Sequence, residues 1–173
     1  MDKIKRMVSR EYIMKLFYQL DMTKEIKEEV LAEDLLIEFI LNHEEEMIAR
    51  YDEIKLQSSD DPEIEILGEE TTFEMVTDKD YMKNLLNKFF ENQEVVDGLI
   101  NKYAKNWTVD RLAKVDLSII RVSITELLYF GDVPKKVSIN EAIELAKRYC
   151  DEKSPSFING ILGSVVSECK EQE

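Results

Sequence analysis

Apolar residues recur three and four positions apart along most of this chain, and that spacing narrows the fold to one class. Tyr12, Leu16 and Leu20 repeat at i, i+4 and i+8, with Ile13 and Phe17 beside them. Tyr81, Leu85 and Phe89 repeat in the same way, and Leu117, Ile120, Ile124 and Leu127 follow the same rule. A period near 3.6 puts such residues on one helix face, whereas a strand needs a period of two. With 5 Gly and 3 Pro in 173 residues, the chain also lacks material for the turns of an all-β fold. We therefore expect an all-α protein of about seven helices in a single domain.

The expected helices cover about 4–20, 27–50, 78–91, 92–103, 116–129, 138–149 and 154–167. Val30, Leu31, Leu35 and Phe39 mark the core face of the second. Thr77 or Asp78 can cap the third, and Asn92 the fourth. The helix over 116–129 is apolar on more than one face and is expected at the centre. Gly131 to Pro134 stops it. Ser138 to Glu141 fits a capping box, and Ser154-Pro155 a helix start with Ser154 as the cap. Trp107 is expected to anchor the core. Between about 52 and 76, the turn signal Ser58 to Pro62 and the isolated alternation Glu63 to Leu67 suggest a loop or surface insertion.

The net charge of −14 argues against a nucleic-acid partner until its distribution is considered. Residues 1–24 carry +3, residues 25–80 carry −16, and residues 81–173 carry −1. The acidity is one central block, and at a Debye length of about 8 Å a remote block does not silence a local cationic patch. On a helical wheel Lys3, Arg6 and Arg10 fall within about 60° of one another, either as a cationic patch or as an ordinary solvated face. Arg121 and Glu126 lie in an apolar helix and, if buried, need partners. His43, the one histidine, sits in an acidic run that suggests a solvated face. Cys150 and Cys169 lie far apart without a metal-binding spacing, so neither a disulfide nor a metal site is expected. No nucleophile elbow, phosphate loop or dinucleotide-binding glycine pattern is present, which argues against an enzyme and against a cofactor. No apolar run approaches the roughly 18 residues of a membrane span, and no signal core follows the first residues, so a cytoplasmic protein is expected.

The second half carries a distinctive string: Trp107 to Leu112, Val115-Asp116, Ile120-Arg121, Thr125-Glu126-Leu127, Val133 to Lys147, and Ser154 to Leu162. In this order and spacing it closely resembles the NusB family of transcription antitermination factors. Arg10-Glu11 and Leu16 to Asp21 resemble that family's first helix. The resemblance covers about 1–40 and 78–170; the acidic stretch at about 42–77 is longer than usual and is expected to be an insertion or extended loop.

The resemblance implies a compact helical domain of two packed halves. It implies binding of boxA-type single-stranded RNA on nascent ribosomal RNA, jointly with NusE, a ribosomal small-subunit protein. The complex helps RNA polymerase resist termination. For RNA it points to Lys3, Arg6 and Arg10 on the first helix and to Lys153, Ser154 and Phe157 at the start of the last, although Phe157 could equally be a core ring. For the protein partner it points to Tyr18 and Asp116, with a rim tyrosine and a helix-capping aspartate as the plainer readings. Asn159-Gly160 could serve close helix packing. The alternative is a protein-interaction module or homodimer on the same fold.

Overall fold

The computed structural model describes residues 2–24, 32–59, 68 and 70–171. Among them are eight helices: α1 (Lys3–Thr23), α2 (Ala32–Gln57), α3 (Phe73–Val76), α4 (Lys79–Glu91), α5 (Gln93–Tyr103), α6 (Lys114–Tyr129), α7 (Lys135–Tyr149) and α8 (Ser154–Glu171). The expected all-α architecture stands. The additional helix is the single turn α3.

Two halves pack through a shared centre. Helices α1 and α2 pack against each other and against α3 and α4, α5 and α7 each pack against α6 and α8, and α6 also lies against α1, α4 and α8. Every residue of α6 from Asp116 to Leu127 is buried. Helix α1 is nearly as enclosed, burying Val8, Tyr12, Ile13, Leu16, Phe17 and Leu20. Phe17 meets Phe89 of α4 with ring centroids 4.4 Å apart, which ties the first and fourth helices together in the core. Asp2 starts α1 by accepting from the backbone N–H of Ile4 and Lys5, and Asp78 starts α4 by accepting from that of Tyr81.

Several local expectations change. Helix α2 runs through residues 42–57, so this part of the acidic stretch is not a loop. Met47 and Ile54 are buried and Tyr51 partly so, a helical stripe that intervening carboxylates obscure in the sequence. The segment Glu63 to Leu67, and Val30 and Leu31, lie outside the described residues. His43 is not on a solvated face. It marks a kink in α2 (φ −130°, ψ 16°), where its Nδ1 donates to the Phe39 carbonyl at 2.8 Å and its ring stacks on Phe39.

The capping box at Ser138 does not form. Helix α7 begins three residues earlier, after Pro134, and Ser138 is buried against α6 with Oγ 3.5 Å from the Ser123 carbonyl. Asn92 caps no N-terminus with its side chain; its amide donates instead to the Lys88 carbonyl at the end of α4. Trp107 is 51 % exposed on the loop between α5 and α6, and so does not anchor the core.

Candidate nucleic-acid interface

The cations of α1 divide. Lys3 is exposed, but Arg6 and Arg10 are 7 % and 5 % exposed and face inward. Arg6 Nη2 lies 3.0 Å from Asp78 Oδ2, and the guanidinium stacks 4.0 Å over the Tyr81 ring. Its Nε and Nη1 are buried without a hydrogen-bond acceptor, so cation–π attraction must offset part of the desolvation. Arg10 donates from Nε to Glu126 Oε1 at 2.9 Å, with Nη2 equally close to the same oxygen, and Glu141 stands 4.0 Å away. The Tyr81 hydroxyl donates to Glu126 at 2.8 Å. Burial alone would lower the Arg10 pKa, yet Tyr81, Glu126 and Glu141 more than offset it and hold the guanidinium charged. These two arginines are therefore engaged inside the fold, and a shared cationic face with Lys3 does not exist. The expectation fails because the carboxylates come from α4, α6 and α7, far away in sequence.

The start of α8 is built differently. Asp151 Oδ1 accepts from the backbone N–H of Lys153 at 2.9 Å and of Ser154 at 3.2 Å, and so does the work assigned to Ser154. Ser154 is buried and turns its Oγ to donate to Asp116 Oδ2 at 2.9 Å. Asp116, in the first turn of α6, thus fastens α8 to α6. Burial, aided by Asp116, pushes the neighbouring Cys150 thiol well above its usual range, which leaves it a poor nucleophile. Lys153 is exposed and Phe157 only partly buried. Trp107, Leu112, Ala113, Asp116, Asp151, Lys153, Ser154 and Phe157 together line a cavity of about 340 Å³.

The structure thus brings Lys153, Ser154, Phe157 and Asp116 together, and separates them from Lys3, Arg6 and Arg10. Helices α1 and α6 run antiparallel, with Arg10 against Glu126 and Asp21 against Lys114 and Arg121. Ten residues of α6 separate Glu126 from Asp116, about 15 Å at 1.5 Å per residue. Tyr18, 38 % exposed, and Met22, 56 % exposed, lie one turn apart on the same side of α1, toward the Asp116 end.

Trp107 stands at the surface, beside the cavity at the start of α8, where a core anchor was expected. Its immediate neighbours Lys105, Asn106 and Thr108 are polar, a signal that favours the surface. Asn159 and Gly160 are both exposed, and a Cβ built on Gly160 meets nothing within 4 Å, so close packing does not require this glycine. Gly160→Ala is expected to stabilise the protein by about 0.5–1 kcal/mol in thermal or urea unfolding. A loss of stability would reveal a contact absent from this geometry.

Comparison with known proteins agrees with the fold. The NusB family model matches residues 7–167. The transcription antitermination protein NusB of Acetivibrio thermocellus is 39% identical over 161 residues, covering 93% of this chain and 88% of that protein. Its counterpart in Clostridium tetani is 37% identical over 172 residues, covering 95% and 99%. Among solved structures, NusB from T. maritima superposes with a TM-score of 0.63 at 28% identity, covering 94% of this chain and 91% of that one. A chain of the complex of antitermination factors NusB and NusE with double-stranded RNA gives a TM-score of 0.64 at 18% identity, a likeness of fold alone, covering 96% and 99%. These matches place the chain among the transcription antitermination proteins. It belongs to the NusB family. No helix among the described residues is long and apolar enough to cross a membrane.

Proposed function

We propose that this protein is an antitermination factor that binds boxA-type single-stranded RNA of nascent ribosomal RNA together with NusE, and so helps RNA polymerase resist termination. The observation that carries the reading is family membership across nearly the whole chain, with relatives 37% and 39% identical that are transcription antitermination proteins. The solved complex of NusB and NusE with RNA has the same fold. On this reading the protein works in the cytoplasm, by binding alone, without a catalytic step or cofactor.

Lys153 and Phe157 at the start of α8 form the RNA contact, with Ser154 holding that helix in place. Lys3 is a separate, distant cation. Tyr18 serves the protein partner. Arg6 and Arg10 act indirectly, by fixing α1 against α4 and α6. The acidic stretch at 42–77 is an addition to a single domain. Its described part reaches the α1 N-terminus, where Tyr51 donates to Asp2 and Lys5 donates to the Glu74 carbonyl.

The test is a titration of boxA-type RNA at two salt concentrations, with and without NusE. With Lys153 as the cation of this contact, log affinity is expected to fall by about 0.7 per phosphate engaged for each unit of log salt. NusE is expected to strengthen binding. An affinity indifferent to both overturns the reading. A second reading, a protein-interaction module or homodimer without RNA, is favoured by the sequestration of Arg6 and Arg10. Sizing chromatography and a ribonuclease-treated pull-down separate the two.

A further inference from the structure

We propose that the cavity between the α5–α6 loop and the start of α8 is a slot for one unstacked RNA base, held between Trp107 and Phe157 and favouring a base that carries an exocyclic amino group. The inference rests on the RNA-binding reading above and names residues that reading does not include.

Trp107 exposes half its surface in a groove that also presents a partly buried phenylalanine. The loop that carries it is held in shape: the Trp107 N–H donates to the Ala104 carbonyl at 2.8 Å, and those of Arg111 and Leu112 to the Thr108 carbonyl at 2.9 and 3.0 Å. A ring held on a braced loop loses little entropy when a base stacks on it. The cavity of about 340 Å³ lies at the lower end of the range that small planar ligands occupy.

Charge decides how such a slot must work. Lys105, Arg111 and Lys153 are exposed and without an ion pair among the described residues. Asp110, Asp116, Asp151 and Glu152 lie in the same segments, so the cations are matched by carboxylates. Attraction for phosphate is therefore weak here, and the buried arginines of α1 cannot supplement it. Stacking and contacts to the base edge have to supply the affinity.

The polar lining favours one kind of edge. Asp116 and Asp151 are acceptors already fixed in place, Asp116 by the Ser154 hydroxyl and Asp151 by the backbone N–H groups of Lys153 and Ser154. A carboxylate accepts and does not donate, so it suits the amino group of cytosine or adenine and disfavours the carbonyl that uracil presents in the same position.

Trp107 is the chain's one tryptophan, which makes its emission a reporter of this slot. The experiment follows that emission while boxA-type RNA is added at low salt, and measures affinity in parallel from the anisotropy of the labelled RNA. Emission is expected to be quenched as RNA binds. Trp107→Ala is expected to weaken binding about ten-fold, and Trp107→Phe by much less, with circular dichroism melts of both variants like wild type. Unlabelled oligo-cytidine is expected to compete better than oligo-uridine of equal length. If RNA binds with unchanged emission and Trp107→Ala binds like wild type, the slot is refuted while the RNA-binding reading survives. If cytidine and uridine compete equally, the amino preference is refuted. If neither wild type nor variant binds RNA, with or without NusE, both readings fall.

Discussion

Replacing Arg10 with alanine is expected to cost the fold about 3–5 kcal/mol and to lower the melting temperature by on the order of 10 °C. The cause is the charge left behind. Glu126 is 1 % exposed, and Arg10 is the cation that holds it, with the Tyr81 hydroxyl as a second donor. Without Arg10 a buried carboxylate faces a phenol and the nearby Glu141, whose own carboxyl is pushed up by burial with Arg10 offsetting only part. Tyr81→Phe is the control. It removes one hydrogen bond and no charge, and is expected to cost about 1 kcal/mol. Urea unfolding of both variants decides the matter; a loss below about 1 kcal/mol in Arg10→Ala, with RNA affinity reduced, would return Arg10 to the interface. The same cluster sets an alkaline limit. Burial, and then Glu126, hold the Tyr81 pKa well above 10 in the folded state. A raised folded pKa means that this contribution is complete below the unfolded value of about 10 and declines as pH rises beyond it, and Tyr81→Phe removes that decline.

Arg121→Ala is expected to be equally severe, at about 3–5 kcal/mol, but to act on a different joint. Arg121 is 2 % exposed and grips Asp97 of α5 with two hydrogen bonds, Nε to Oδ1 and Nη2 to Oδ2, each 2.8 Å. Its Nη1 reaches Asp21 of α1 at 3.3 Å, and Lys114 holds the other oxygen of Asp21 at 2.8 Å. One guanidinium therefore joins three helices from both halves. Arg121→Lys cannot reproduce a planar fork with a third contact, so it too is expected to lose stability, though less than alanine. If lysine matched arginine in unfolding experiments, the fork geometry would be irrelevant and only the charge would matter.

The helices were legible because burial leaves a periodic trace. Tyr12, Leu16 and Leu20 announce α1, and the broad apolar surface of 116–129 correctly announces a central helix. The stripe Met47, Tyr51 and Ile54 has the same spacing, but charged neighbours diluted it and the end of α2 was read as loop. Capping was less legible. Ser138 and Ser154 have the right residue type, yet tertiary partners, the Ser123 carbonyl and Asp116, engage both hydroxyls.

The arrangement of the candidate interface residues was legible only in part. Phe157 and Lys153 lie four residues apart at one helix start, so their proximity follows from the local chain. Arg6 and Arg10 carry no local sign of Asp78 and Glu126, which stand 72 and 116 residues away. A helical wheel shows where a cation points but not which carboxylate meets it there. For Trp107, residue type suggested burial, whereas its polar flanks match the exposure that the structure shows.

Because α6 touches helices of both halves and is buried from Asp116 to Leu127, the halves cannot part without exposing one of its faces. Among the described residues, partners accordingly meet helices that are already packed in place. Whatever adaptation docking requires is left to side chains and short connections at the periphery, so recognition should resemble a key meeting a finished lock more than a clasp closing on its object.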